Sequence, residues 1–226
     1  LRLRSNDPDA GLVAIPLQGR AVEAELSLSP ASLDFGQVRL SGFRDTTVVL
    51  SNSGNTSLTL RSASFDSSAF EVVGFRPQQL GTGQQLALTL RFRPSSIGPV
   101  AARLSVLSDA SRRPRGEVAV SGIGSAPVLG ASLEALDFGA GQLQRSKTLV
   151  LELANSGNTG LIIQRLGLGG ESFQVTANLP LTLAPGEVYR LRVAFLPLRS
   201  GENLYTQEIA SDAATGQLRI PLKGSS

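Results

Sequence analysis

The feature that most constrains the fold is a sequence repeat with a period of 103 residues. The segment "LSNSGNTSL" at Leu50–Leu58 recurs as "LANSGNTGL" at Leu153–Leu161. The segment "LDFG" at Leu33–Gly36 recurs at the same spacing as Leu136–Gly139. Solenoid units are about 20–50 residues long and depend on their neighbours, whereas this period is the length of an independent domain. The repeat therefore predicts two homologous domains in tandem.

The limits of these domains follow from where the matching residues begin and end. We predict one domain at residues 24–123 and the other at residues 126–226. Residues 1–20 belong to the same pattern, because Gly19 matches Gly122 at the spacing of 103. We interpret them as the last hairpin of a truncated preceding repeat. Since a lone two-stranded hairpin is marginally stable in water, the alternative is that it pairs with something else, as in strand donation.

Within each repeat, hydrophobic and polar residues alternate. In "QQLALTLRFRP", Leu86, Leu88, Leu90 and Phe92 share one face, a period of two that indicates an antiparallel strand with one buried side. Equivalent strands follow about 103 residues later, and those of the first repeat are expected near 25–29, 33–36, 45–52, 56–65, 84–93, 100–108 and 116–122. The predicted fold is all-β, with tandem seven-stranded immunoglobulin-like β-sandwiches.

Two further patterns bear on this fold. Asn-Ser-Gly-Asn joins two of the expected strands, and Asn and Gly adopt positive φ at low cost, so we interpret the segment as turn chemistry alone. Six of the nine phenylalanines occupy matched positions, which predicts that they are core residues shared by both domains: Phe35/Phe138, Phe70/Phe173 and Phe92/Phe195.

Together these motifs resemble the immunoglobulin-like domain named after abnormal spindle protein and Hydin (the ASH domain) and the bacterial "choice-of-anchor D" repeats. In the first repeat the pattern is met by Leu33–Gly36, Asn52–Asn55, Phe70, Phe92–Pro94, Gly98, Ser108-Asp109 and Gly122. The resemblance implies a sandwich similar to those of PapD and major sperm protein. It also implies a repeated structural module of cilia, centrosomes or bacterial surfaces, with no catalytic residues.

The composition excludes several kinds of chemistry. The chain has no Cys and no His, so it has no Ser-His-Asp triad, no thiolate nucleophile and no His/Cys zinc site. The paired acids, Asp34/Asp137 and Asp109/Asp212, are expected to bind local backbone. Ser5–Asp9 lacks the spacing of a calcium loop, and Gly167–Gly170 lacks the Lys of a phosphate loop. We expect no enzyme activity, no cofactor and no metal site.

Seven residues are candidates for partner contact. Phe43-Arg44 and Phe75-Arg76 pair an aromatic residue with an arginine in stretches typical of loops, where they either pack on the first domain or anchor an interface. Arg112, Arg113 and Arg115 form the densest basic run, expected as a solvated loop or as a contact for an anionic glycan, lipid surface or acidic partner. The net charge of +3 is too small and too dispersed to predict nucleic-acid binding.

These observations predict a non-catalytic structural repeat, a stiff spacer, adhesion or assembly segment of a larger bacterial protein at the cell surface or outside the cell. We expect a protein partner or self-assembly. No segment is apolar enough for membrane insertion. Carbohydrate binding has weak support because the chain has no Trp. The alternatives are a ciliary or cytoplasmic scaffold that binds a protein partner, a periplasmic location, and a filament subunit that uses strand donation.

Overall fold

The structure is a computed structural model that describes residues 1–4, 6, 8–9, 11–167 and 170–226, with the backbone alone at Val13. It contains a two-stranded hairpin followed by two β-sandwich units. The hairpin strands are β1 (Arg2–Arg4) and β2 (Leu12–Ala14). In the described part of the chain, no helix has the length and apolar character needed to cross a membrane.

The first sandwich has nine strands among the described residues. They are β3 (Leu26–Ser29), β4 (Ser32–Arg39), β5 (Arg44–Asn52), β6 (Leu58–Phe65), β7 (Phe70–Val73), β8 (Gln78–Leu80), β9 (Gln85–Phe92), β10 (Gly98–Ser108) and β11 (Arg115–Ser125). Seven of them coincide with the seven predicted strands. β7 and β8 were missed because they have four and three residues, too few for an alternating pattern to stand out.

The second sandwich repeats this arrangement in the described residues after Ser125. Its strands are β12 (Leu129–Ala131), β13 (Leu136–Ala140), β14 (Lys147–Asn155), β15 (Leu161–Leu166), β16 (Phe173–Val175), β17 (Leu181–Leu183), β18 (Val188–Phe195), β19 (Glu202–Ser211) and β20 (Gln217–Ser225). The prediction of two all-β immunoglobulin-like sandwiches is confirmed.

Each sandwich consists of a four-stranded and a five-stranded sheet. The first has the orders β3-β5-β9-β7 and β4-β11-β10-β6-β8; the second has β12-β14-β18-β16 and β13-β20-β19-β15-β17. The described pairs are antiparallel except β4 with β11 and β13 with β20, which are parallel. These edge pairs depart from the antiparallel prediction. The chain crosses from one sheet to the other between β3 and β4, so β4 enters the second sheet in the same direction as β11.

Three phenylalanines lie at the centre of each core, as the matched positions predicted. Phe35, Phe70 and Phe92 are buried, and the rings of Phe70 and Phe92 stack with centroids 4.7 Å apart. In the second sandwich Phe173 and Phe195 stack at 5.0 Å, and the ring of Phe138 lies 5.5 Å from that of Phe195. Burying one such side chain stabilises the fold by roughly 2–3 kcal/mol.

The two cores are separate among the described residues. One cluster of buried side chains runs from Ala24 to Val120 and the other from Leu129 to Leu222, and they share no member. Each sandwich therefore buries its own hydrophobic residues. The backbone between the clusters consists of the end of β11 and the three residues, 126–128, that lead into β12. The exact domain limits given above stay predictions.

The hairpin at the start of the chain has the register of a pair of strands inside the first sandwich. Arg2 pairs with Ala14 and Arg4 with Leu12. The residues 103 positions later pair in the same way, Ser105 with Glu117 and Leu107 with Arg115. Among the described residues, β1 and β2 are paired only with each other.

Candidate functional site

The first asparagine of each Asn-Ser-Gly-Asn turn is a buried structural hub. The side chain of Asn155 is fully buried at the end of β14. Its Oδ1 accepts hydrogen bonds from Gly157 N at 3.0 Å and Val128 N at 3.2 Å. Its Nδ2 donates to Thr159 O at 2.8 Å and Leu183 O at 3.0 Å. An amide carries two donors and an acceptor on one short side chain, so it satisfies all four backbone groups.

Asn52 makes the same four contacts in the first sandwich. Its Oδ1 accepts from Gly54 N at 3.0 Å and from Glu25 N at 3.4 Å. Its Nδ2 donates to Thr56 O at 2.7 Å and Leu80 O at 3.0 Å. In both repeats two of the bound groups lie outside the turn: a carbonyl oxygen at the end of β8 or β17, and an amide of the segment that leads into the sandwich. The turn is therefore tied to the preceding part of the chain.

The second asparagine binds that preceding segment directly. We call residues 124–128 the connecting segment, since they join β11 of the first sandwich to the second. Asn158 Nδ2 donates to Gly124 O at 2.9 Å, and its Oδ1 accepts from Ala126 N at 3.1 Å. Backbone bonds from Asn158 N to Ala126 O at 3.2 Å and from Ser156 N to Val128 O at 2.9 Å complete the contact.

The first sandwich holds residues 21–25, the entry segment, through the equivalent five bonds. Asn55 Nδ2 donates to Ala21 O at 2.9 Å, and Asn55 Oδ1 accepts from Glu23 N at 2.7 Å. Asn55 N bonds to Glu23 O at 2.8 Å and Ser53 N to Glu25 O at 3.0 Å. The interpretation of this motif as turn chemistry alone is wrong, because both asparagines bind residues about 30 positions away in sequence.

The glycine of each turn allows this close approach. A Cβ atom on Gly157 would overlap the carbonyl oxygen of Ala126, and one on Gly54 would overlap that of Glu23. Neither glycine has a positive φ, so the requirement is for space between two backbones rather than for an unusual conformation. The whole motif is therefore a site that binds the backbone of the segment that enters the sandwich.

Side chains also meet across the connecting segment. Arg39 Nη2, at the end of β4, lies 3.4 Å from Asp212 Oδ2 of the second sandwich. Asp212 is held in place because its Oδ1 accepts a hydrogen bond from Ile162 N at 2.8 Å. Beside this pair is a groove of about 450 Å³ lined by Leu40, Pro127 and neighbouring residues. An ion pair exposed at this level contributes at most about 1 kcal/mol.

The structure places the predicted aromatic–arginine pairs separately. Phe43 is exposed, and the guanidinium of Arg91 lies 4.0 Å from its ring centroid. Arg44 donates to the carbonyl oxygen of Phe35 and so has a local structural contact. Phe75 packs against the first core, and Arg76 is exposed. Of the four, Phe43, Arg44 and Arg76 are exposed and Phe75 is partly buried; partner contact stays a prediction.

The basic run lies beside the entry segment. Arg112 Nε is 2.9 Å from Glu23 Oε1, and Arg113 lines the adjoining groove of about 330 Å³. Arg115 Nε lies 3.0 Å from Glu117 Oε1. Carboxylates thus face two of the three arginines, which lowers the positive charge that the loop offers to an anionic partner.

The paired acids all bind backbone, but the expectation of local binding is confirmed only for Asp34 and Asp137, since Asp109 and Asp212 each bind an amide 50 residues away. Asp34 Oδ1 accepts from Gly36 N at 2.9 Å, and Asp137 Oδ1 accepts from Gly139 N at 2.7 Å. Asp109 Oδ1 accepts from Thr59 N at 2.7 Å, and hydrogen bonds from Thr59 hold the pKa of Asp109 below its usual range. No group of three or more acidic residues with metal-binding geometry occurs in the described ranges. Parts of Ser5–Asp9 and Gly167–Gly170 lie outside those ranges, so the expectations for them stay predictions.

A comparison with known protein families matches part of the chain. Residues 26–108, within the first sandwich, match the family described as Transmembrane protein 131-like N-terminal. No curated protein sequence matches the chain.

Solved structures similar to the chain include a protein of unknown function from Porphyromonas gingivalis W83, with 17% identity, 89% of this chain and 99% of that chain covered, and a TM-score of 0.41. The ASH/PapD-like domain 7 of human CEP192 matches with 14% identity, 50% and 92% coverage, and a TM-score of 0.40. A CsuC–CsuE chaperone–tip adhesion subunit complex of Acinetobacter baumannii matches with 14% identity, 90% and 100% coverage, and a TM-score of 0.34.

Proposed function

We propose that the chain is a non-catalytic structural repeat, a stiff spacer or assembly segment of the choice-of-anchor D type. The observation that carries the proposal is the contact between each Asn-Ser-Gly-Asn turn and the segment that enters its sandwich. Five hydrogen bonds join the turn of the second sandwich to residues 124–128. A free linker has none of these bonds and leaves the domains it joins to move independently.

The energetics favour a fixed junction. Asn158 alone contributes two side-chain hydrogen bonds to the connecting segment. At about 1 kcal/mol net for each bond, removing both weakens the junction by about 2 kcal/mol. Because 1.4 kcal/mol corresponds to a factor of ten, that loss makes the released state of the segment about 30-fold more populated. The second asparagine therefore has a larger effect on the junction than an exposed ion pair has.

The location of the protein is part of the proposal. The absence of Cys, His, Met and Trp and the repeat architecture favour a bacterial cell-surface or extracellular protein, in which an array of sandwiches separates a terminal region from its attachment point. Protease treatment of intact source cells tests this location. Loss of the repeat from intact cells supports it, and protection of the repeat until the cells are lysed contradicts it.

The experiment that tests the stiff junction is backbone ¹⁵N relaxation of the full chain. A rigid pair of sandwiches tumbles as one body, so residues of both cores report one shared, anisotropic rotational diffusion tensor. Asn158→Ala should give the two sandwiches separate and shorter correlation times, whereas exposed Asn178→Ala should leave them coupled. Independent tumbling of the unaltered chain would refute the proposal.

A further inference from the structure

The hairpin formed by β1 and β2 exposes an apolar face. Four large side chains on it are accessible: Leu1 at 61%, Leu3 at 47%, Ile15 at 39% and Leu17 at 74%. Exposed apolar residues that share one face of a sheet mark a surface that another element covers. Which element fits this face follows from comparing the hairpin with its two counterparts inside the sandwiches.

The four exposed residues correspond to core residues in the first sandwich. At the spacing of 103, their counterparts are Leu104, Val106, Val118 and Val120, which are 0–3% exposed. The pairing register of the hairpin is also the register of β10 with β11. The hairpin thus has the strand register and the apolar positions of the last two strands of a sandwich, and no sheet of the described residues covers its apolar face.

The second sandwich matches the hairpin in sequence as well. "IPLQG" at Ile15–Gly19 recurs as "IPLKG" at Ile220–Gly224, the last strand of that sandwich. Ile220 and Leu222 are buried in the second core. Their counterparts in the hairpin, Ile15 and Leu17, are exposed.

A glycine in the hairpin indicates what the covering element contains. Gly122 and Gly224 lie under the rings of Phe92 and Phe195, so close that a Cβ would come within 2.5 Å and 2.6 Å of ring carbons. At the equivalent Gly19, no atom of a described residue outside its chain neighbours lies within 4 Å of the Cβ position. Where both sandwiches place an aromatic ring on this glycine, the hairpin leaves the space open.

The entry segment supplies an independent argument. Residues 21–25 follow the hairpin and are bound by the first sandwich through the same five hydrogen bonds with which the second sandwich binds residues 124–128. In chain order, the hairpin therefore precedes the entry segment as β10 and β11 precede the connecting segment.

We propose that the apolar face of the hairpin is the docking surface for the body of a further sandwich of this repeat type. The occupant supplies the opposing four-stranded sheet over Leu1, Leu3, Ile15 and Leu17, together with a phenylalanine ring over Gly19. A second copy of this chain does not offer such a body, because its β10/β11 and β19/β20 positions are already filled by its own strands. The inference extends the proposed structural function by naming the partner of the hairpin.

The test builds the missing body from the chain itself. Leu1 is equivalent to Gln207, so a copy of residues 126–206 is joined directly to Leu1, ahead of the full chain 1–226. We expect the hairpin amides of residues 2–4, 12–15 and 17 to gain at least about 100-fold protection from hydrogen exchange, since core strands open only with global unfolding. In the chain without the graft, these amides should exchange rapidly.

A matched control carries Ile15→Asp in the grafted protein. It should lose the protection of the hairpin while the amides of both native sandwiches stay protected. A second graft, residues 24–103 joined to Leu1, guards against misfolding of the first one. Unprotected hairpin amides in both grafts overturn the proposal, and so does a dimeric ungrafted chain with a protected hairpin. Because the readout concerns the hairpin alone, a negative result leaves the relaxation test of the junction at residues 124–128 unaffected.

Discussion

Replacing Asn155 with alanine should destabilise the second sandwich strongly. The substitution removes all four side-chain hydrogen bonds and leaves the carbonyl groups of Thr159 and Leu183 without that partner. A typical hydrogen bond contributes about 1 kcal/mol net, and a buried group left unpaired costs about 1–3 kcal/mol. We therefore expect the free energy of unfolding of the second sandwich to fall by about 3–5 kcal/mol.

The chain provides a spectroscopic means of measuring this sandwich separately. Its two tyrosines, Tyr189 and Tyr205, both belong to the second sandwich, and it has no Trp. Tyrosine fluorescence during urea unfolding therefore reports on the second sandwich, whereas far-ultraviolet circular dichroism reports on both. Asn155→Ala should shift the fluorescence midpoint to lower urea concentration with an unchanged m-value, as expected for a pure change in stability.

The equivalent substitution in the first sandwich is the matched comparison. Asn52→Ala should lower the circular dichroism transition of the first sandwich and leave the tyrosine midpoint where it is. Exposed Asn178→Ala should change the stability by less than about 0.5 kcal/mol. A loss below about 1 kcal/mol for Asn155→Ala would refute the reasoning, because it would mean that water or a rearranged turn replaces the four bonds.

Three further predictions use the same unfolding assays. Gln207 is buried at the position of Leu104; among the described residues its Oε1 lacks a hydrogen-bond partner, whereas its Nε2 donates to Gly167 O at 3.3 Å and Glu208 O at 2.9 Å. Gln207→Leu removes the unpaired oxygen together with these two bonds, so the free energy of unfolding of the second sandwich should change by less than about 1 kcal/mol; a change above about 2 kcal/mol in either direction would contradict this. Arg39→Ala should lower the free energy of unfolding by less than about 1 kcal/mol, and 1 M salt should abolish the difference between the variant and the unaltered chain. A larger loss would show that the ion pair with Asp212 is stronger than its exposure indicates. Phe195→Ala should cost about 3–5 kcal/mol, and a smaller loss would show that the core closes around the cavity.

The sequence predicts the sandwiches well because their pattern is local and repeated. Alternation along Leu86–Phe92 identifies β9 and its buried face, and the 103-residue period confirms the same strand in the second copy. Strands of three or four residues, such as β7 and β8, carry no such pattern. The parallel pairing of β4 with β11 depends on where the chain crosses between sheets, which residue types do not specify.

The junction was harder to predict for a physical reason. Asn158 binds the backbone of Gly124 and Ala126, and a backbone partner has no side-chain identity that a sequence could display. One signal was present, because both asparagines recur in both copies. A tight turn alone does not require two fixed asparagines, so their recurrence indicates a further contact. The contact between Arg39 and Asp212 has no such signal, because the residue that matches Arg39 in the second copy is Gln142.

The central claim is that the turn of the second sandwich holds that sandwich in a fixed orientation on the first. Because the chain has no native cysteine, exposed Ala87 and Thr206 can each be replaced by cysteine and spin-labelled without background. The most direct measurement is the distance distribution between these two labels by double electron–electron resonance. We predict one narrow peak in the otherwise unaltered chain and a broad distribution when Asn158→Ala is added. A broad distribution without that substitution, or a narrow one that persists with it, would contradict the claim.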